Sequence, residues 1–157
     1  MSDRFVVSAS PHLRDSANTA KVMWWVVAAL APAAVASIWI FGWRSLVVQL
    51  VSVAACLGAE VLSELAFKRP VTIRDGSAVV TGLLLAFTCP ASSPWWMILI
   101  GAVVAIFLVK QLFGGVGYNI FNPALAARAM LLSSWPVAMT GWSQPVRSFF
   151  RADVVTA

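Results

Sequence analysis

The sequence predicts an all-helical integral membrane protein, and three observations predict it. Of 157 residues only 11 are Lys or Arg and 6 are Asp or Glu, so charged residues make up 11% of the chain, where a soluble domain carries about 25%. Val22–Trp43 and Gly76–Val109 contain no charged residue, and a charge-free apolar run of about 18 or more residues reads as a membrane span. The period-two alternation of a membrane β-barrel is missing from the apolar runs, which leaves helices. With 61% hydrophobic residues and a mean hydropathy of +0.86, disorder is excluded. A soluble enzyme domain would have too little polar surface to cover its core.

Residues 1–21 are polar and of mixed charge, an expected cytoplasmic segment. A membrane domain is expected over 22–136, with five transmembrane or half-spanning helices near 22–43, 46–67, 77–89, 95–113 and 123–135. The first opens with Trp24 and Trp25 and closes with Trp39 and Trp43, an aromatic belt at each interface. Pro32 inside it is tolerable because neighbouring helices re-satisfy the freed carbonyl. Its apolar run exceeds a signal-peptide core, so it is expected to be retained. The second, Leu46–Phe67, carries Glu60 and Glu64 toward its end. The third ends at Cys89-Pro90, the fourth begins at Trp95-Trp96, and the fifth lies between a Gly-rich stretch and Pro136. At about 13 residues each, the third and fifth reach only about 20 Å, against a hydrocarbon core of about 30 Å. Short segments broken by Gly and Pro point to discontinuous helices lining a binding site; the alternative is two ordinary spans whose ends run into the flanking loops.

Lys and Arg set the orientation. Arg4, Arg14 and Lys21, then Lys68, Arg69 and Arg74, then Lys110 fall on one side of alternating spans, and Arg44 falls on the other. The positive-inside rule makes the N-terminus cytoplasmic. Five crossings put residues 137–157 outside, where Arg147 and Arg151 oppose the rule mildly. The net charge of +5 is thereby assigned to topology; nucleic acid is not an expected partner, and the lipid bilayer is.

Few residues can carry chemistry. Cys56 and Cys89 form no CxxC and read as buried inert thiols. His12 is the single histidine, so neither a His-based metal site nor a catalytic triad can be built, and no catalytic residue or metal ligand is expected. Glu60, Glu64 and Lys68 share one helix face at i, i+4, i+8. An interfacial ladder accounts for the last two, while Glu60 lies a turn deeper and is a candidate for an ion path. Asp75 or Ser77 can cap the third helix. Richest is Gly114-Gly115-Val116-Gly117-Tyr118-Asn119-Ile120-Phe121-Asn122-Pro123-Ala124. Its glycines permit positive φ and close backbone approach. Asn122 suits an N-cap and Pro123 the first helical position. Asn119 and Asn122 at membrane depth make a neutral donor–acceptor cluster, suited to a planar ligand such as a flavin ring, or to water, unless they only brace the break. Gly115-Val116-Gly117 is no dinucleotide fingerprint, because Ile120 holds the third glycine position and no strand precedes it.

Several long motifs, in order, resemble the RnfD family, the D subunit of the Rnf ion-translocating ferredoxin:NAD oxidoreductase, which is similar to the B subunit of the sodium-pumping NADH:quinone reductase. They are Ser10-Pro11-His12, the run from Asp75 to Ala86, Pro94-Trp95-Trp96, the run from Lys110 to Asn119, and the run from Phe121 to Arg128. The resemblance implies two inverted five-span halves, with this chain as the first half. It implies a membrane electron-transfer subunit that carries flavin and couples electron flow between ferredoxin and NAD to translocation of Na+ or H+ in a bacterial or archaeal cytoplasmic membrane. It implies FMN attached through a phosphoester to a Thr of an Asp-x-x-Ser/Thr-x-Ala-Thr motif. Asp153 and Thr156 match the start of that motif, so the acceptor Thr is expected beyond Ala157. In the sodium-pumping relative the corresponding asparagines lie by a riboflavin, which makes Asn119, Asn122, Gly114, Gly115 and Gly117 the expected non-covalent flavin contacts. Expected partners are the other membrane subunits, especially the FMN-bearing G and the iron–sulfur A and E subunits. Residues alone also allow half of a channel or transporter for a small neutral solute, which flavin absorbance would separate.

The topology is testable. Phe150→Cys in the full-length protein should react with a membrane-impermeant maleimide added outside; labelling from the cytoplasmic side alone reverses the assignment.

Overall fold

A long apolar stretch in hydrocarbon satisfies its backbone polar groups internally only as a helix, and the first two elements are of this kind. In the computed structural model, which describes residues 18–68, 73–115, 117–142 and 145, α1 spans Thr19–Phe41 and α2 spans Trp43–Ala66. Both are long and apolar enough to cross a membrane. Gly42 alone joins them, at φ 75°, a conformation open to glycine and strained for other residues. Trp43, expected to close the first helix, and Arg44, expected between the helices, therefore stand in the first turn of α2.

A 3-10 turn at Ile73–Asp75 leads into α3, Ser77–Thr88. α4, Trp95–Val103, continues directly as a π-helical segment, Val104–Gln111. α5 spans Pro123–Ser134, and a short α6, Pro136–Thr140, follows it. No strand occurs among the described residues. At 12 residues each, α3 and α5 reach about 18 Å.

α2 is the hub and packs on α1, α3, α4 and the π segment, while α5 packs on α3, α4 and the π segment. Cys56, Leu85, Met97, Ile98, Ala105, Ile106 and Leu131 form the buried centre. α1 has no buried residue and lies at the edge of the bundle. The tryptophans Trp24, Trp25, Trp39, Trp43, Trp95 and Trp96 are all exposed, as interfacial anchors require. Trp24 Nε1 donates to Arg74 O at 3.2 Å, fixing the start of α1 beside the start of α3. At the opposite end, Ser92 Oγ donates to Gly141 O at 3.0 Å and Trp96 meets Trp135 edge to face.

The hub helix is inverted relative to a soluble one. Its buried face carries Ser45, Gln49, Ser52, Glu60, Ser63 and Glu64, whereas Leu50, Leu62 and Leu65 are exposed. In water this would be backwards. In lipid, apolar side chains face hydrocarbon and polar ones bond between helices. Gln49 Nε2 donates to Ser37 Oγ of α1 at 2.6 Å, and Ser52 Oγ donates to Gly82 O of α3 at 2.7 Å.

Gly82 makes the second contact possible. A Cβ there would lie 2.7 Å from Val53 Cα, which is backbone, whereas a Cβ at Gly101 would meet Leu131 Cδ1, the tip of a side chain that can rotate. Gly82→Ala in the full-length subunit should therefore cost about 1–3 kcal/mol from overpacking, and Gly101→Ala less. Thermal unfolding in detergent checks the order.

Candidate functional site

The polar face of α2 ends in a buried charge. Glu60 is fully buried at 0% exposure and Lys110 at 3%. Lys110 Nζ donates to Glu60 Oε1 and, at 2.6 Å, to Ser77 Oγ. Ser77 Oγ donates to Asp75 Oδ1 at 2.7 Å, and the same oxygen accepts from Ser77 N at 2.9 Å. Asp75, one residue before the N-cap Gly76, thus accepts from the first N–H of α3 while belonging to a chain of polar contacts that runs Glu60, Lys110, Ser77, Asp75. Glu60 Oε2 is buried with no hydrogen-bond partner among the described residues.

The local sequence explains how each group arrives. Glu60 follows Ser52 and Cys56 at intervals of four on the buried face of α2, the spacing that keeps residues on one helix face. Ser77 opens α3, so its hydroxyl lies at the helix mouth. Lys110 depends on the π segment. On the fourth helix the buried pairs are Met97/Ile98, Gly101/Ala102, Ala105/Ile106 and Lys110/Gln111. The spacing is four, four and then five. A π turn bonds residue i to i+5 and holds one residue more than an α turn, so it keeps Lys110 on the buried face. Phe67 stacks on Phe107 with ring centroids 5.5 Å apart, pinning the end of α2 against this widened turn.

From the sequence alone, Lys110 marks the membrane interface. The structure instead pairs it with Glu60, 50 residues away. The signal that could have found it is chemical: a carboxylate buried in a span needs a cation beside it, and Lys110 is the one cation adjoining the charge-free run of the fourth helix.

The glycine–asparagine stretch forms the connection between the π segment and α5. Gly114, Gly115 and Gly117 adopt φ of 112°, 99° and 89°, backbone that favours glycine. Asn122 caps α5, its Oδ1 accepting from Ala124 N at 3.0 Å and Leu125 N at 3.4 Å. Asn119 Nδ2 donates to Phe121 O at 2.8 Å. Both asparagines therefore brace the loop locally. Tyr118, Ile120 and Phe121 beside them are exposed at 75%, 71% and 63%, an open apolar surface next to two carboxamides. Asp153 and Thr156 lie outside the described residues, as does His12. Cys56 and Cys89 are buried and free.

A helical bundle with large apolar side chains turned outward and polar side chains bonded between its helices around a buried ion pair has the character of a membrane-embedded protein. Residues 6–157 match the NQR2, RnfD, RnfE family, and the chain belongs to it. It is 48% identical over 134 residues to the D subunit of the Na(+)-translocating ferredoxin:NAD(+) oxidoreductase complex of Acetobacterium woodii, covering 85% of this chain and 42% of that protein. It is 46% identical over 140 residues to the D subunit of the proton-translocating ferredoxin:NAD(+) oxidoreductase complex of Clostridium ljungdahlii, covering 89% and 42%. It is 43% identical over 145 residues to the D subunit of the ion-translocating oxidoreductase complex of Vibrio cholerae, covering 91% and 42%. The chain thus spans about two fifths of the length of these relatives.

Removing one partner of a buried ion pair leaves the other charge uncompensated, which costs about 3–5 kcal/mol. Lys110→Met and Glu60→Gln should each destabilise the full-length subunit by about this much, with the double variant losing less than either. Unfolding midpoints of the three proteins measure the coupling; strictly additive losses would deny it.

Proposed function

We propose that this chain is the N-terminal part of a membrane subunit of an ion-translocating oxidoreductase of the ferredoxin:NAD+ type. It carries flavin and couples electron flow to the movement of Na+ or H+. Membership of a family whose relatives bear such names supports the general role. The observation that carries the coupling role is the buried Glu60, held by Lys110 at the mouth of a short helix. An ionisable pair inside a membrane bundle marks an ion or proton pathway by default, and half-spanning helices are where such pathways are built. The protein has no need to supply the redox chemistry; flavin does that, while the chain supplies binding, spacing and electrostatics.

In this reading the chain is the first of two inverted halves, with its N-terminus cytoplasmic and residues after 137 outside, in a bacterial or archaeal cytoplasmic membrane. FMN is attached beyond Ala157, in the motif begun by Asp153 and Thr156. A non-covalent flavin, riboflavin in the sodium-pumping relative, lies by Asn119 and Asn122. The positive φ of Gly114, Gly115 and Gly117 and the exposed Tyr118 and Phe121 support a backbone that a flat ring can approach and a surface it can stack on. The partners are the FMN-bearing G subunit and the iron–sulfur A and E subunits.

Two measurements test this. In vesicles containing the assembled complex, Glu60→Gln should abolish ferredoxin-driven ion uptake, and uptake at the parental rate sinks the coupling role. Asn122→Ala should release the non-covalent flavin from the full-length subunit. Asn122→Ser serves as the control that keeps the cap, whose loss alone costs about 1 kcal/mol. Unchanged flavin content in both variants after extraction removes the asparagines from the flavin site.

A further inference from the structure

Lys110 stands between two carboxylates. It bonds Glu60 directly and reaches Asp75 through one hydroxyl, that of Ser77. Counted over Glu60, Lys110 and Asp75, two carboxylates share one ammonium, one positive charge short of neutrality. The shortfall has an address: Glu60 Oε2 is buried and without a hydrogen-bond partner among the described residues. Among the described residues the neighbouring cations do not fill it, since Lys68 and Arg74 are exposed. Glu64, a turn from Glu60, is itself buried at 2% exposure and adds no cation. Lys110 is also built to move. An ammonium on a four-carbon stem has three rotatable donors, its backbone lies in a π turn, and it already touches the hydroxyl that leads to Asp75.

We propose that Lys110 is the resident cation of an exchange site. This deepens the ion-path reading of Glu60 and rests on it. The translocated cation, Na+ or a proton, takes Glu60 by displacing the ammonium, which pivots past Ser77 to Asp75. The incoming cation supplies the charge that the resting cluster lacks. Before exchange two carboxylates share one ammonium; after it Glu60 holds the incoming cation and Asp75 holds Lys110. When the cation departs, the ammonium returns to Glu60 and closes the site against back-flow. Glu60 is never left as an unpaired buried charge, the state that low-dielectric surroundings penalise most.

The test uses the full-length subunit in its complex, reconstituted in vesicles. Asp75→Asn removes the landing charge but keeps an oxygen to accept from Ser77 N, so that bond and the Glu60–Lys110 pair both remain. Ion uptake per electron should fall on the order of tenfold with no change in unfolding midpoint; uptake at the parental ratio overturns the exchange. Lys110→Met empties the site, which should then draw its cation from solution. Either Na+, but not choline, raises the unfolding midpoint saturably, or infrared spectra gain a protonated-carboxyl band that Lys110→Met/Glu60→Gln lacks. The first result identifies Na+ as the exchanging ion and the second a proton, and neither response overturns the proposal. Should Lys110→Met not fold, the Asp75→Asn result decides. Glu60→Gln separates the two levels: parental ion uptake in that variant defeats the ion-path reading itself, whereas lost uptake there with silent Asp75→Asn and Lys110→Met arms defeats the exchange alone.

Discussion

A carboxylate in hydrocarbon must have a cation beside it, and the arrangement of this bundle follows from that requirement at Glu60. The residue sits in the last two turns of the hub helix with 0% exposure. Its partner must come from another helix, and Lys110 comes from the fourth. To deliver Lys110 inward near its own end, that helix widens by one residue in a turn. To hold the ammonium on a second side, α3 begins at the same level with Ser77 and the Asp75 that accepts from it. One electrostatic constraint thereby fixes the register of three elements.

The rest of the hub helix obeys the same rule at lower charge. Ser45, Gln49 and Ser52 bond to α1 and α3, so polar contacts join the apolar centre in setting how these helices meet. Small residues let backbones approach where such bonds form: Gly82 lies against Val53, and alanines fill much of the buried centre. Packing of this kind is what lipid-embedded helices use when apolar burial gives no net drive for association. Large apolar side chains are turned outward on α1, α2 and α5.

Much of this was legible in the sequence, for local reasons. Charge-free runs announce apolar helices because a single charge at the bilayer centre is costly. Asn122-Pro123 announces a helix start because the carboxamide accepts from free N–H groups and proline lacks one. Closely spaced glycines announce positive φ, and three were found there. Glu60 stands out as an ionisable residue in a span. Its partner did not stand out. Lys110 lies near a helix end, where a lysine also fits by snorkelling, and nothing in sequence spacing links it to Glu60. The π turn leaves no local mark either, because its extra residue answers to tertiary contacts with α2. The single-residue turn at Gly42 was also missed: Trp43 reads as the close of the first helix and Arg44 as a loop residue until the glycine is seen to reverse the chain alone.

The 50-residue separation between Glu60 and Lys110 is also an interval in time. A ribosome adds about 5–20 residues per second, so α2 exists for roughly 3–10 s before its cation has been made. Gly42 leaves no slack between α1 and α2, so the hydroxyl of Ser37 is on hand for Gln49 at once. Glu60 has no such early companion. Until the fourth helix follows, its carboxylate must hold a proton or face water. The pair on which the finished bundle turns thus forms long after the helix that carries its carboxylate.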